Sequence, residues 1–177
     1  IVRADGPTEG IVGVVSGGGS GHEPMHAGFV GTGMLTGAAA GSIFTSPPAT
    51  DIRELLEVAD AGEGVLAIIK NYEGDLMNFD TAAELADVDY ESVVVDDDVA
   101  VSEAEDRTGR RGVAGTIFVH KIAGAMAAQG ASLEEVRDVA KKAIENVASM
   151  GVALTSCVTP EKGTPTVDLP EDELELG

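Results

Sequence analysis

Residues 14–28 read VVSGGGSGHEPMHAG, and they place four glycines and then His22 directly behind an apolar run. Glycine loses more conformational freedom on folding than any other residue, so a group of glycines indicates a backbone that must approach something closely. The apolar run at residues 10–16 predicts a buried strand, and the glycines that follow it predict a tight turn at the end of that strand.

Outward from this stretch, strand-like and helix-like segments alternate. Further strands are predicted at 64–70, 91–98 and 151–158. Helices are predicted at 47–61, 75–88, 116–129 and 132–147, and the glycine-interrupted segment 24–35 is also helix-like. Strands that alternate with helices predict an α/β fold, with a mostly parallel central sheet flanked by helices and a mixed sheet left open. We expect residues 1–177 to form a single α/β domain.

Two of the predicted helices have recognisable starts. Thr50 or Asp51 is the expected N-cap of the first helix, with Glu54 near its start. Ser132 and Glu135 have the spacing of a capping box at the start of the last helix. The apolar positions that follow Ser132 recur at helical spacing, which favours one face buried against the sheet.

Composition limits the classes of partner. The 177 residues are 44% hydrophobic but only 3% aromatic, without tryptophan, so the core is expected to consist of aliphatic side chains. A net charge of −20 would repel nucleic acid and anionic membranes. The same charge indicates a protein adapted to high salt, where repulsion between its negative side chains is screened. The alternative is an ordinary acidic cytoplasmic protein.

The single cysteine, Cys157, cannot form an intrachain disulfide, which fits a reducing compartment. Its apolar surroundings predict a buried side chain. No secretory signal and no apolar run of membrane-spanning length are apparent in the sequence, so we expect a cytoplasmic protein. Because the sequence begins at Ile1 and ends abruptly, it has the appearance of a piece of a longer protein.

Three polar segments follow predicted strands: SGGGSGHE (16–23), KNYEGD (70–75) and DDD (96–98), the last with GRRG (109–112) after it. In an open α/β sheet, ligands bind outside the carboxyl ends of the strands, where all of these segments would meet. The glycine segment matches neither a Walker A motif nor a G-x-G-x-x-G pattern. It is either a plain tight turn or a loop whose backbone N–H groups face a small ligand.

The candidate residues each have a structural alternative. His22 could face the ligand or be a structural histidine, and His26 could share a helix face with it, although Pro24 and the lack of a third ligand argue against a metal site. His120 is expected on a helix surface or in packing. Lys70 and Asp75 could pair or cap, or both could face the ligand, where Asp75 at a helix N-terminus would accept a hydroxyl proton.

The acidic and basic segments leave several readings open. The aspartates at 96–98 could bind a cation. A run of three acidic residues is weak evidence for such a site in so acidic a chain. The arginines at 109–112 could bind acids or phosphate of a partner, or balance nearby carboxylates.

Four stretches resemble one family. SGGGSGHEPMHAGFVGTGMLTGAAAGSIFTSP (16–47), GVLAIIKNYEGDLMNF (64–79), VVVDDDVAV (93–101) and GRRGVAGTIFVHKIAGA (109–125) are similar to the dihydroxyacetone-binding subunit of dihydroxyacetone kinases. Where that family commonly has a Cys-Pro pair and a Glu, this chain has Ala39, Ala40 and Ser42. The resemblance implies phosphorylation of dihydroxyacetone to dihydroxyacetone phosphate.

The resemblance also assigns site residues. The substrate-binding positions of the family fall on Gly19, Ser20, Gly21, His22, Lys70 and Asp75. His22 and Asp75 would be the catalytic acid/base pair, and no metal ligand is implied. The family holds its ketone covalently on a later histidine, which His26 and His120 do not match, so we expect the second half of the subunit and that anchor to lie outside this sequence.

Partners follow from the same resemblance. ATP or ADP, with Mg²⁺, would be bound by a separate DhaL-like kinase subunit or domain and not by this chain, and a phosphoenolpyruvate-dependent phosphocarrier could supply the phosphate. A homodimer is also expected. Two other readings remain: a non-catalytic dihydroxyacetone-sensing regulatory relative and an unrelated α/β binding protein.

Overall fold

The computed structural model describes residues 1–100, 109–160, 162–165, 169–170 and 172–176. Its centre is a four-stranded parallel sheet in the order β2-β1-β3-β4. The strands of this sheet are β1 (Gly13–Ser20), β2 (Gly37–Ile43), β3 (Val65–Lys70) and β4 (Tyr90–Val95). The helices are α1 (Ala49–Ala59), α2 (Glu73–Leu85), α3 (Thr116–Ala127) and α4 (Leu133–Ile144). The predicted α/β fold with a parallel sheet is therefore confirmed.

Alternating side chains of the strands build a separate core on each face of the sheet. Val14 and Ile68 pack with α3 and α4 on one face. Val15 and Ile69 pack with α1 and α2 on the other face. Because both faces are covered, most side chains of β1 and β3 are buried, as expected of a parallel sheet, and most of the polar side chains near the sheet lie at the strand ends.

The glycine stretch is strand and not turn, which corrects the prediction. Strand β1 continues to Ser20, and Gly17, Gly18 and Gly19 pair with β2. A Cβ atom at Gly17 would lie 2.9 Å from the carbonyl oxygen of Ala39, and one at Gly19 would lie 2.5 Å from the backbone nitrogen of Thr45. These glycines therefore allow β1 to lie close to the neighbouring backbone, a contact within the protein that the sequence did not predict.

The segment predicted as helix-like at 24–35 contains only a short 3₁₀ turn, Ala27–Phe29. Strand β2 was not predicted, because its sequence GAAAGSI lacks the β-branched side chains that usually indicate a strand. The predicted N-cap of α1 at Thr50 or Asp51 was wrong: Pro48 is the N-cap, and Asp51 lies in the first turn. The capping box of Ser132 and Glu135 at the start of α4 is confirmed.

The late strand is reduced to β5 (Val152–Ala153), which pairs with β6 (Glu175–Leu176) outside the main sheet. The residues of this ribbon are exposed or half-buried. Cys157, which follows β5, is exposed, so its predicted burial was wrong. None of the helices in the described part of the chain combines the length and the apolar character needed to cross a membrane.

Candidate functional site at the strand ends

The carboxyl ends of β1 and β3 and the start of α2 border one small cavity. Its volume is about 220 Å³. The lining residues are Gly19, His22, Phe44, Ser46, Lys70, Tyr72 and Asp75. The sheet topology brings the strand ends together, because parallel strands end at the same edge.

His22 follows β1 and packs against the phenyl ring of Phe44. The two ring centroids lie 4.9 Å apart with an interplanar angle of 56°. Burial lowers the pKa of His22, and the charge of Lys70 lowers it further, whereas Glu23 and Asp75 act in the opposite direction. The imidazole is therefore neutral near pH 7 and able to accept a proton.

Phe44 is held over the glycine segment by an unusual backbone. Its φ is +52°, a region that bulky residues rarely adopt, and its N–H donates to the carbonyl of Ser20 at 2.8 Å. A Cβ atom at Gly21 would lie 2.8 Å from the Phe44 ring. Gly19 and Gly21 thus make room for Phe44 and its neighbour Thr45, which the sequence did not indicate.

Lys70 is the last residue of β3, and its side chain is buried. Its Nζ lies 5.2 Å from the centroid of the Tyr72 ring, a distance at which a cation is attracted by the aromatic face. Burial lowers the pKa of Lys70, and the nearby Asp75 carboxylate partly offsets that effect. A buried ammonium of this kind is a strong donor to an oxygen of a small ligand.

Asp75 lies in the first turn of α2, where the helix dipole favours negative charge. Burial nevertheless raises the pKa of Asp75, against the opposing effects of the Ser46 side chain, Lys70 and His22. Its Oδ1 is buried and has no hydrogen-bond partner among the described residues. A carboxylate with a raised pKa and a free lone pair has the properties of a general base.

A second cavity of about 350 Å³ adjoins the same side chains. It is bordered by His22, Lys70 and Tyr72 on one side and by residues 112–114 on the other. Asp97, at the end of β4, holds this segment, because its carboxylate accepts from the N–H groups of Val113 and Gly115 at 2.7 Å each.

Two aspartates of the acidic run 96–98, Asp97 and Asp98, make hydrogen bonds within the protein. Ser149 also donates to Asp97, and Oδ1 of Asp98 accepts from the N–H of Ala100. Arg110 donates from Nε to the carbonyl oxygen of Asp98. Two of the three aspartates thus hold loops, which supports a structural reading of this run over the suggested cation site.

The structure brings together most of the predicted site residues. Gly19, His22, Lys70 and Asp75 border the first cavity, and Gly21 borders the second.

The polar groups of two predicted positions are already engaged within the protein. The N–H of Gly21 donates to the carboxylate of Glu23, so this amide is not free for a ligand. The hydroxyl of Ser20 donates to the carbonyl of Gly41 at 2.6 Å.

His26 and His120 lie behind the site and not in it. Both are buried, and their ring centroids are 5.3 Å apart. His26 does not share a helix face with His22, because residues 22–26 form turns. The predicted position of His120 on helix α3 is confirmed as packing, and its alternative as a surface residue was wrong.

Comparisons with known proteins agree with this architecture. The dihydroxyacetone-binding subunit DhaK of a PTS-dependent dihydroxyacetone kinase from Listeria innocua is 54% identical over 180 residues, covering 100% of this chain and 55% of that protein. The chain thus spans about half the length of this curated relative.

Two solved structures are also similar. The dihydroxyacetone kinase of C. freundii superposes with a TM-score of 0.89 at 42% identity, covering 99% of this chain and 32% of that one. It has also been solved in complex with AMP-PNP and Mg²⁺. The dihydroxyacetone kinase operon co-activator Dha-DhaQ superposes with a TM-score of 0.88 at 39% identity, covering 94% and 52% of the two chains.

The family model for the Dak1 domain matches residues 1–177. An unrelated α/β binding protein is thereby excluded. From this match and the full-chain identity to its relatives, we conclude that the chain belongs to the Dak1 domain family.

Proposed function

We propose that this chain is the dihydroxyacetone-binding part of a dihydroxyacetone kinase, in which it prepares one hydroxyl of the triose for phosphoryl transfer. The observation that carries the proposal is the cavity of about 220 Å³ shared by His22, Lys70 and Asp75. This volume is below the ~300–1,000 Å³ of pockets for drug-sized ligands, and it suits a ligand of a few carbon atoms.

The three side chains have complementary roles. Lys70 donates from its ammonium to an oxygen of the triose and fixes its orientation. Asp75 accepts the proton of the reacting hydroxyl, for which burial has raised its pKa towards the working pH. His22, kept neutral by burial and by Lys70, accepts a hydrogen bond or a proton from the ligand on the open side of the cavity.

Phosphoryl transfer then needs alignment more than covalent chemistry from this chain. The oxygen of the hydroxyl attacks the phosphorus of the donor, its proton passes to Asp75, and the bond between that phosphorus and its leaving group breaks. We propose that a separate DhaL-like subunit or domain holds the nucleotide and Mg²⁺. The donor is either ATP or a phosphoenolpyruvate-dependent phosphocarrier, and a homodimer remains a prediction.

The remaining substrate-binding positions belong to the same proposal. Gly19 borders the first cavity and Gly21 the second, where each would present backbone atoms to the ligand. Because the Ser20 proton is engaged by Gly41, Ser20 would contribute a lone pair or its backbone to the ligand.

A second candidate is a sensor that binds dihydroxyacetone without phosphorylating it. The similarity to the operon co-activator, at a TM-score of 0.88, favours this alternative. The two functions share the pocket and differ in turnover.

The test is formation of dihydroxyacetone phosphate by the full-length protein with a nucleotide-binding partner subunit, supplied either with ATP and Mg²⁺ or with a phosphoenolpyruvate relay. Dihydroxyacetone binding is measured in parallel by calorimetry. Turnover with either donor supports the kinase. Binding without turnover under both conditions would overturn it in favour of the sensor, and absence of binding would overturn both.

A further inference from the structure

Behind the cavity lies a buried polar cluster that the proposed chemistry does not use. His26 is 5% exposed, and both His120 and Ser16 are fully buried. The rings of His26 and His120 pack with an interplanar angle of 57°. Among the described residues, Nε2 of His26 and both ring nitrogens of His120 are buried without a hydrogen-bond partner. Buried polar atoms are normally paired, so an unpaired group next to a site needs an explanation.

The hydrogen bonds of Ser16 determine the tautomer of His26. Ser16 Oγ lies 2.6 Å from the carbonyl oxygen of Ile68, to which it donates its only proton. The same Oγ lies 3.1 Å from Nδ1 of His26 and can only accept there. Nδ1 of His26 must therefore carry the proton, which leaves Nε2 with a buried lone pair that needs a donor.

Lys70 provides a donor beside that lone pair. A Cβ atom at Gly18 would lie 3.2 Å from Lys70 Nζ and 3.3 Å from His26 Nε2, so both nitrogens border the space above Gly18. A methyl group at position 18 would contact both nitrogens. The ammonium has three donors on a flexible stem, whereas Nε2 is held in place by the Ser16 bond and by His120.

Charge also favours this pairing. Burial, with smaller contributions from His120 and Lys70, lowers the pKa of His26 to about 2, and burial lowers that of His120 to about 3. Both imidazoles are therefore neutral at working pH. A neutral acceptor satisfies an ammonium without neutralising the charge that Lys70 presents to Asp75 and to a ligand.

We propose that His26 is a positioning residue: its Nε2 accepts a hydrogen bond from the Lys70 ammonium, and Ser16 fixes the tautomer that makes this possible. The inference rests on the proposed function only for its catalytic consequence, since the tautomer and the proposed Lys70 hydrogen bond concern the protein without ligand.

The first test is a ¹⁵N NMR measurement of the histidine ring nitrogens in the full-length, ligand-free protein. His26 is expected to show a protonated Nδ1 and an unprotonated Nε2. Ser16→Ala removes the acceptor for Nδ1–H and is expected to shift the ring towards the Nε2-protonated form. Thr36→Val is the matched control, because it removes another hydroxyl in the same core, one that accepts from the N–H of Val14. A protonated Nε2 in the wild type would overturn the proposal, and no change in Ser16→Ala would overturn the part that assigns the tautomer to Ser16.

The second test separates the acceptor from the shape of the ring. His26→Phe keeps an aromatic ring but has no acceptor, and turnover is expected to fall ~10- to 100-fold, as for loss of a hydrogen bond to a charged group. His26→Gln keeps an oxygen near the position of Nε2 and is expected to retain most of the activity. Equal activity of the two variants would contradict the acceptor role. If the wild type shows no turnover, the proposed function fails, and the NMR result still decides the tautomer. If His26→Phe does not fold, Gly18→Ala replaces it and should also lower turnover, because its methyl group would crowd both nitrogens and displace at least one of them.

Discussion

The imidazole of His22 packs on the phenyl ring of Phe44, and the two ring centroids are 4.9 Å apart. Phe44 reaches this position with a φ of +52° and over glycines that leave room for it. The contact removes part of the imidazole from water, and burial is the largest cause of the lowered pKa of His22. Phe44 therefore connects the glycine segment to the protonation state of the candidate acid/base residue.

Replacing Phe44 with alanine should raise the pKa of His22 towards its ordinary value, because the imidazole of His22 becomes more hydrated while the charge of Lys70 is unchanged. The pKa is measured by NMR titration of the His22 ring protons. Phe118→Ala is the control, since Phe118 is 64% exposed on α3 and should leave the His22 titration unchanged. A lower or unchanged pKa in Phe44→Ala would show that Phe44 does not shield His22.

A methyl group at Gly19 should be poorly tolerated. It would lie 2.5 Å from the backbone nitrogen of Thr45, and backbone atoms cannot move aside as a flexible side chain can. We expect Gly19→Ala to lower the free energy of unfolding by at least ~1–3 kcal/mol, as for other overpacked positions. In contrast, Gly31 has open space around its Cβ position, so Gly31→Ala should be nearly neutral. Equal denaturation midpoints for the two variants would contradict this account.

The sequence was sufficient to predict the strands β1, β3 and β4, because their apolar runs are long and are followed by polar segments. It also placed Lys70 and Asp75 correctly at one sheet edge, since that follows from parallel topology. It could not predict β2, whose alanines and glycines have no strand preference of their own and are ordered by pairing with β1. Phe44 was missed because its role depends on an unusual φ, for which the sequence has no signal.

Asp97 should be required for the position of the segment that borders the second cavity. Its carboxylate accepts from Val113 and Gly115, and an amide at this position would direct an N–H group at one of these donors. We expect Asp97→Asn to lower the free energy of unfolding by ~1.5–3 kcal/mol, the usual value of a hydrogen bond to a charged group. Asp89→Asn is a control at an exposed position just before β4. Chemical denaturation measures both variants, and an unaffected Asp97→Asn would contradict the holding role.

Salt should stabilise the protein. The 177 residues carry a net charge of −20, so their excess negative side chains repel one another. Salt screens this repulsion, because the Debye length shortens from ~30 Å at 0.01 M to ~3 Å at 1 M salt. The melting temperature should therefore rise with sodium chloride over this range. Repeating the titration with sucrose tests whether general solute exclusion accounts for the rise. A melting temperature that is constant or falls with salt would contradict adaptation to high salt.

The catalytic assignment of Asp75 is tested by Asp75→Asn, which keeps the size of the side chain but removes its basicity. General bases typically contribute ~10²- to 10⁴-fold, so turnover of the full-length protein with its partner should fall by that factor. Asp80→Asn, an exposed position on the same helix, is the control and should keep wild-type turnover. His22→Asn should also lower turnover, with melting curves recorded to exclude unfolding.

The pH profile distinguishes a base from a helix-terminal charge. Asp75 must be deprotonated to accept the hydroxyl proton, and burial raises its pKa. Turnover of the wild type should therefore fall as the pH drops through that raised pKa, above the ordinary range of an aspartate. Asp75→Asn should lose this acidic limb and keep only its low residual rate. If the variant retains both near-normal turnover and the same acidic limb, Asp75 is a helix-terminal charge, and the proton must be accepted by another group, for which His22 is the remaining candidate in the cavity.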